Sequence, residues 1–314
     1  MNTNELVSII IPTYNRADHI CHAVESALSQ SYKDKEVIVV DDGSTDDTQV
    51  RLKRYGSQIQ IVVQPNAGPA SARNRGIEES AGEIIAFLDS DDSWLPTKLE
   101  RQVSLLRRAG GSVPCCVCNA LLKFADSREL SSFSVAWLEP QHEEGLWTNV
   151  PEVLATRFLL FNQTLAVRRA VLERIGGFEP SYAVLEDYDL ALRLSLEGPW
   201  AFLSEPLAIW NGGSPGSLSE ASKGSQVDLK GYIVRMQEKM LAEMDLREMP
   251  TSTRQLARRE LERARRELRA TMMSHNISWP IAAAGHIARR LERIRRSVAR
   301  RAPWFPRMES AALA

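Results

Sequence analysis

The chain has 314 residues, 44% hydrophobic, 25% charged and 7% aromatic. These proportions exclude disordered and collagen-like classes, and the length allows one large domain or two smaller ones with a sizeable core. The net charge of -1 conceals a division, since residues 1–220 carry 19 Lys+Arg against 30 Asp+Glu and residues 221–314 carry 20 against 10, an acidic body followed by a basic tail.

Short β-branched runs alternate with amphipathic stretches through the first half, the pattern of βα units around a mostly parallel sheet. The spacing predicts strands over 7–11 (VSIII), 37–40 (VIVV), 60–63 (QIVV) and 83–88 (EIIAFL). Helices are expected over 18–30, from the polar turn after residue 40 to residue 54, over 70–80 and over 95–109. Each strand is nearly all apolar, as a strand buried on both faces should be. Such sheets bind ligands beyond the carboxyl ends of their strands, and the unusual polar residues fall there.

After the first strand comes Pro12-Thr13-Tyr14-Asn15-Arg16, where the proline is expected to stop pairing and leave backbone free to line a pocket. After the second comes Asp41-Asp42-Gly43-Ser44-Thr45-Asp46-Asp47. Its first two carboxylates could accept from a base N–H or a ribose hydroxyl. A plain turn with Ser44 or Thr45 as helix cap explains the segment equally well. After the fourth stands Asp89-Ser90-Asp91-Asp92-Ser93-Trp94, dense in hard oxygen ligands suited to Mg²⁺ or Mn²⁺, which one or two carboxylates hold while diphosphate oxygens and water complete the shell. Between these, Asn66 to Gly76 forms a Gly/Pro loop opening a helix. Such a start favours anions, and Arg73 could pair with phosphate or a nearby aspartate. Glu186, Asp187 and Asp189 begin a later helix, where the dipole alone rewards acids and a general base is the sharper reading. The absence of GxGxxG and GxxxxGK[ST] argues against dinucleotide redox enzymes and P-loop nucleotidases.

As an ordered set, VSIIIPTYNR, VIVVDDGSTDDT, NAGPASARNRGI, IAFLDSDDSW, IGGFEP and LEDYDLALRL resemble the family 2 glycosyltransferases over residues 7–219. The resemblance implies the GT-A fold, an α/β class with a mostly parallel sheet flanked by helices. It also implies inverting, metal-dependent transfer of one sugar from a nucleotide-diphosphate donor, commonly a UDP-sugar, to an acceptor hydroxyl. It divides its part of the chain into a nucleotide-sugar half at about 1–110 and an acceptor half at about 111–220, and the basic residues 221–314 are expected to form a helical extension outside it. Carried onto these residues, Asp42 contacts the base and Asp89 the ribose or metal, with Pro12, Thr13, Tyr14, Asp41, Arg73 and Ser90 completing the donor pocket. Asp91 is the principal metal ligand for Mg²⁺ or Mn²⁺, Asp187 is the catalytic base and Glu186 is its neighbour. Gly176, Gly177, Phe178 and Trp210 lie on the acceptor side, although a helix-ending glycine pair looks the same. The family often has an Arg or His that closes over the diphosphate where this chain reads Ile209-Trp210-Asn211-Gly212-Gly213-Ser214-Pro215. There is no QxxRW, so the processive synthases are poor guides. A catalytically silent nucleotide-sugar-binding or scaffold protein of the same fold is the alternative.

Four cysteines, Cys21, Cys115, Cys116 and Cys118, are too few and clustered for a disulfide framework and fit a reducing compartment. VPCCVCNALL reads as a buried strand rather than a zinc site. His142 reads as a solvated loop residue, and Trp147 and Trp200 as core or sugar-stacking residues. The opening MNTNELVSIII lacks a signal peptide's basic region, and no window has the roughly 20 apolar residues of a spanning helix. The expected location is cytoplasmic, peripheral at the inner face of the cell membrane. In the tail, 254–269 and 288–301 are Arg-rich helical stretches. Ile287, Leu291, Ile294 and Val298 form one apolar stripe in the second, followed by Trp304 and Phe305. The first is expected to pack on the acidic body, and the second to dock on an anionic membrane surface. No nucleic-acid motif accompanies the charge, and no nucleic-acid partner is expected.

Overall fold

The structure is a computed structural model and describes residues 5–124, 126–157, 159, 162–212, 226–273 and 308–311. The first half forms as its pattern requires. Strands β1 (Val7–Thr13), β2 (Lys35–Asp41), β3 (Gln60–Val63) and β4 (Ile84–Phe87) are parallel in the order β3-β2-β1-β4. Helices α1 (Ile20–Leu28), α2 (Thr48–Leu52) and α3 (Pro69–Glu79) connect them, and the short strand β5 (Ser93–Trp94) and helix α4 (Lys98–Ala109) follow. Every residue of β1 and β4 is buried, which accounts for their unbroken apolar runs.

Next come β6 (Cys115–Lys123), β7 (Glu129–Ser131), α5 (Ser132–Val135), β8 (Glu144–Trp147), α6 (Val150–Thr156), β9 (Leu165–Arg168), α7 (Arg169–Ile175), α8 (Glu186–Ser195) and β10 (Trp200–Asn211). The sheet continues from β4 through β9, β6, β10 and β8. β9 is antiparallel to both β4 and β6, whereas β6 and β10 are parallel to each other. The reversed strand therefore joins two parallel sets.

Pro12 does not stop β1. The strand pairs with β2 through Pro12↔Val40 and Thr13↔Asp41, while its pairing with β4 ends at Ile10↔Phe87. Leu88 N donates to Ile10 O, and Asp42 N donates to Thr13 O. Backbone polar groups alternate sides along a strand, so the position of the missing proline N–H faces the side from which β4 has already departed. The proline costs no ladder bond there, and β1 and β4 diverge into a cleft.

Two apolar layers cover the sheet. One includes Ile10, Phe87, Trp147, Phe178, Leu190 and Trp200, and the other Ile9, Val24, Leu99, Val103 and Leu106. Cys115, Cys116 and Cys118 are buried in β6 as expected. Trp147 and Trp200 are buried and pack edge to face at 5.7 Å, which makes them core residues. Met236, Met240 and Met244 of α9 (Gln226–Leu246) and Ala257 of α10 (Thr251–Met273) enter the first layer. The first Arg-rich stretch packs on the body through Ala257 and a Thr253–Glu152 hydrogen bond, while its arginines pair within the two tail helices, Arg258 with Asp245 at 2.9 Å, Arg263 with Glu260 at 3.1 Å and Arg265 with Glu238 at 2.6 Å. The second stretch, with its apolar stripe, Trp304 and Phe305, lies outside the described residues. Beyond it, β11 (Ser310–Ala311) pairs antiparallel with β8, a strand that the helical expectation for the tail did not contain.

Helix α3 lies close on β1 because Gly76 has no side chain. A Cβ there would sit 2.3 Å from Ile10 Cγ2, and Ile10 is wholly buried. Gly76→Ala is expected to destabilise the fold by about 1–3 kcal/mol, lowering the urea midpoint at unchanged slope. An unchanged midpoint would show that α3 lifts from the sheet without cost.

Candidate active site

The site begins with two loops laced together beyond β1 and β2. Asn15 N donates to Ser44 Oγ at 2.9 Å, Thr45 N to Asn15 Oδ1 at 2.8 Å, and Arg16 N to Thr48 Oγ1 at 2.9 Å. Ser44 and Thr45 therefore serve Asn15 rather than cap α2, whose N-cap position is Asp47. Asp41 is fully buried and accepts from Ser44 N at 2.9 Å. Its other oxygen and the buried Oγ1 of Thr13, its cross-strand neighbour, have no hydrogen-bond partner among the described residues. Unsatisfied buried acceptors cost free energy and mark a place where a ligand donor would be favourable. Tyr14 stands at the lip with nearly half its surface exposed, whereas Pro12 and Ser90 are buried.

Asp42 answers the question of the anion at the start of α3. Its carboxylate accepts from Ala67 N at 2.9 Å, Gly68 N at 2.8 Å and Gln64 Nε2 at 2.7 Å. The unpaired N–H groups before this helix are thus met by the protein's own carboxylate, which binds the 64–68 loop to the end of β2.

On α3 the decisive side chain is Arg73, only 4% exposed. One arm donates to Asp89 Oδ1 at 2.6 Å and the other to Glu186 Oε1 at 2.7 Å, and the Phe178 ring centroid lies 5.3 Å from its guanidinium carbon. Burial works against its charge, but Asp89 and Glu186 outweigh burial and hold the proton more firmly than in water. Both arms are spent on protein carboxylates, so Arg73 joins the ends of β4 and α8 instead of reaching outward to a phosphate.

Beside Glu186, Asp187 accepts from Tyr188 N at 2.8 Å. Burial first, and then the Glu186 carboxylate, push its carboxyl up to about 7, against an opposing pull from Arg73. A carboxyl poised there can take a proton near neutral pH.

The acidic loop after β4 divides its labour. Burial and the neighbouring Asp89 raise the Asp91 carboxyl above the ordinary range, and the Arg16 guanidinium lies 4.0 Å away. Asp92 is turned inward, accepting from Gln163 Nε2 at 2.6 Å and Asn211 N at 2.9 Å. The third carboxylate of the run is therefore structural. Among the described residues no group of three His, Cys, Asp or Glu side chains is arranged to hold a metal. Two close carboxylates whose mutual charge is unfavourable nonetheless fit a divalent cation that takes its remaining oxygens from a diphosphate and water.

The glycine pair has its helix-ending role. Gly176 takes the left-handed conformation (φ 81°) after α7, and Gly177 N donates to Leu172 O at 2.9 Å. Phe178 is buried, bonded through its backbone to Asn74 at 2.8 Å on both donor and acceptor sides, and packed edge-on to Phe87 at 5.0 Å. Its ring supports Arg73 and is not available to an acceptor. Trp210 is half-buried, with its ring edge-on to Phe124 at 5.6 Å.

The model of the family described as "Glycosyl transferase family 2" matches residues 8–162. The Escherichia coli protein UDP-Glc:alpha-D-GlcNAc-diphosphoundecaprenol beta-1,3-glucosyltransferase WfaP is 33% identical over 195 residues, 61% of this chain and 70% of that one. The chain belongs to glycosyltransferase family 2. A second relative, uncharacterized glycosyltransferase RP339 of Rickettsia prowazekii, is 34% identical over 185 residues, 59% of this chain. The match spans little more than half of RP339, 57% of its length. Among solved structures, S. aureus TarS 1-349 in complex with UDP-GlcNAc superposes with a TM-score of 0.67 at 20% identity, over 87% of this chain and 76% of that one. That likeness concerns the fold, the GT-A arrangement of a mostly parallel sheet flanked by helices.

In this family 2 chain several working residues carry no signal in a single sequence. Gln64, Asn74, Gln163 and Asn211 are isolated amides, and only their distant hydrogen-bond partners reveal them. The spacing of Arg73, Asp89 and Glu186 likewise says nothing of their meeting.

Because Arg73 lowers the Asp187 carboxyl, its removal must raise it. In Arg73→Gln the Asp187 carboxyl, followed by carbon NMR, is expected to titrate above the wild type. An unmoved midpoint would show that burial alone sets it.

Proposed function

We propose that this chain transfers one sugar from a UDP-sugar to a hydroxyl of a glycan or lipid-linked acceptor, with inversion, in surface polysaccharide or glycolipid assembly. The observation that carries the reading is Asp187. A carboxyl raised to about 7 follows the Arg73–Glu186 ion pair in a family whose members transfer sugars, where the resemblance assigns the base. WfaP's own name specifies UDP-Glc and a diphosphoundecaprenol-linked acceptor, which supports the donor class and the acceptor class.

The buried lip of Thr13, Asp41 and Asp42 supplies acceptors for a base N–H, and Tyr14 borders it. Asp89 serves the ribose and, with Asp91, would hold Mg²⁺ or Mn²⁺. When bound, that ion offsets the charge developing on the departing diphosphate. Asp187 takes the proton from the acceptor hydroxyl as its oxygen bonds to the anomeric carbon and the bond from that carbon to the diphosphate breaks. Glu186, fixed by Arg73, keeps the neighbouring charge that holds Asp187 basic enough for the task.

Turnover should rise with pH through about 7 as Asp187 loses its proton. Asp187→Asn should bind UDP yet lose transfer by about 10²–10⁴-fold. The folded-state carboxyl lies above its unfolded value of 3.8, so ionised Asp187 destabilises the fold increasingly as pH rises between the two values. The amide carries no such charge, and its Tm should exceed that of the wild type at pH 8 and converge with it near pH 4. Wild-type turnover in this variant would return Asp187 to a helix-start acid, and UDP binding without any sugar release in the wild type would favour a silent binding protein.

The chain also docks, in this reading, on an anionic membrane surface through the second Arg-rich stretch. No helix among the described residues is long and apolar enough to cross a membrane. Binding to vesicles containing anionic lipid should weaken with salt and be lost when Arg289, Arg290, Arg293 and Arg296 are changed to Glu. Equal binding by that variant would remove the stretch from the mechanism.

A further inference from the structure

We propose that Asn211, held by Asp92, is a positioning residue that aims Asp91 and sets the affinity for a divalent cation with a nucleoside diphosphate. The proposal rests on the assignment of Asp91 as metal ligand.

Strands β5 and β10 pair antiparallel through Ser93↔Ile209 and Trp94↔Ala208. One more residue pair beyond Ser93↔Ile209 would place Trp210 opposite Asp92, and the next would place Asn211 opposite Asp91. The backbone ladder cannot continue so far, because the chain turns at 89–92, where Asp92 N donates to Asp89 O at 3.1 Å. Side chains take over where backbone pairing stops. Asn211 N donates to Asp92 Oδ1 at 2.9 Å, and Asn211 Nδ2 donates to Asp91 O at 2.9 Å. Asn211 donates both bonds, one from its backbone and one from its side chain, and together they hold the acidic loop to the end of β10.

A third segment closes the arrangement. Gln163 Nε2 donates to Asp92 Oδ2 at 2.6 Å, while Trp94 Nε1 donates to Gln163 O at 2.9 Å. Asp92 is thus fixed from two sides and is only 1% exposed. Among the described residues no other side chain bonds the Asp91 carboxylate, and the Arg16 guanidinium lies 4.0 Å away, beyond hydrogen-bond range. The aim of Asp91 depends on the backbone that Asn211 holds. Groups that orient a ligand are worth much of the ligand's own contribution, and their loss costs roughly 10- to 100-fold in metal affinity.

The test is calorimetry of UDP binding with and without Mn²⁺, on the full chain, with Tm measured beside it. Asn211→Ala keeps the backbone bond to Asp92 and removes the side-chain contacts of Asn211, the bond to Asp91 O among them. It should raise the Kd for UDP in the presence of Mn²⁺ roughly 10- to 100-fold and leave the Kd without metal unchanged. Asp92→Asn should retain wild-type metal dependence, because its carbonyl oxygen can still accept from Asn211 N and the Gln163 amide can turn to face its NH₂ group. Asp91→Ala should abolish the effect of Mn²⁺. If Asp91→Ala kept it, the metal assignment and the proposal with it would fall. If Asp91→Ala lost it and Asn211→Ala behaved as wild type, the proposal alone would fall. Weakening of both Kd values equally in Asn211→Ala, or loss of metal dependence in Asp92→Asn, would show general damage or a charge effect, and would also overturn it.

Discussion

A single buried guanidinium between two carboxylates is the constraint on which the site depends. Arg73 projects from α3, Asp89 follows β4 and Glu186 opens α8, and the Arg73 fork bonds to both carboxylates. A buried ion pair is weak evidence for stability, because desolvation offsets much of its attraction. Removing one partner is another matter, since it leaves the others buried and unpaired. The geometry of the fork therefore persists, and with it the placement of Asp187 next to a fixed negative neighbour.

Several apolar and glycine positions exist to make that fork possible. Gly76 lets α3 approach β1 closely enough for Arg73 to reach over the strand ends. Phe178 forms the floor under the guanidinium, and it is fixed by Asn74 on the same helix as Arg73. Arg193 fastens the turn before Phe178 by donating to Ile175 O and Gly177 O at 2.8 Å each, while pairing with Asp189 of its own helix. Among the helix-start acids, Glu186 faces Arg73, Asp187 stays poised and Asp189 is structural. Their separate surroundings, not their residue type, divide these roles.

The early strands were legible because their chemistry is local. Burial on both faces demands unbroken apolar runs, and β1, β2, β3 and β4 fall within a few residues of the pattern. The motif set was legible for a similar reason, since loops at strand ends must carry their polar groups in short contiguous stretches. Misreadings came where a short stretch has two chemically valid uses. Pro12 looked like a stop, yet the direction of its missing donor allowed β1 to continue. The three aspartates of the acidic run are alike in sequence, and only the fold shows that Asp92 points inward to Gln163 and Asn211.

Taken by itself, the sequence determined the alternation of elements, the acidic body, the basic tail and the family, because periodicity, composition and contiguous motifs survive in one dimension. Tertiary structure alone decided that Arg73 links Asp89 to Glu186, that the anion at the start of α3 is Asp42, and that Asp92 is bonded to Gln163 and Asn211. Each of these rests on contacts between residues far apart in the chain. The pairing partner of a buried charge is chosen by distance and desolvation in the folded state, and neither quantity is written in residue order.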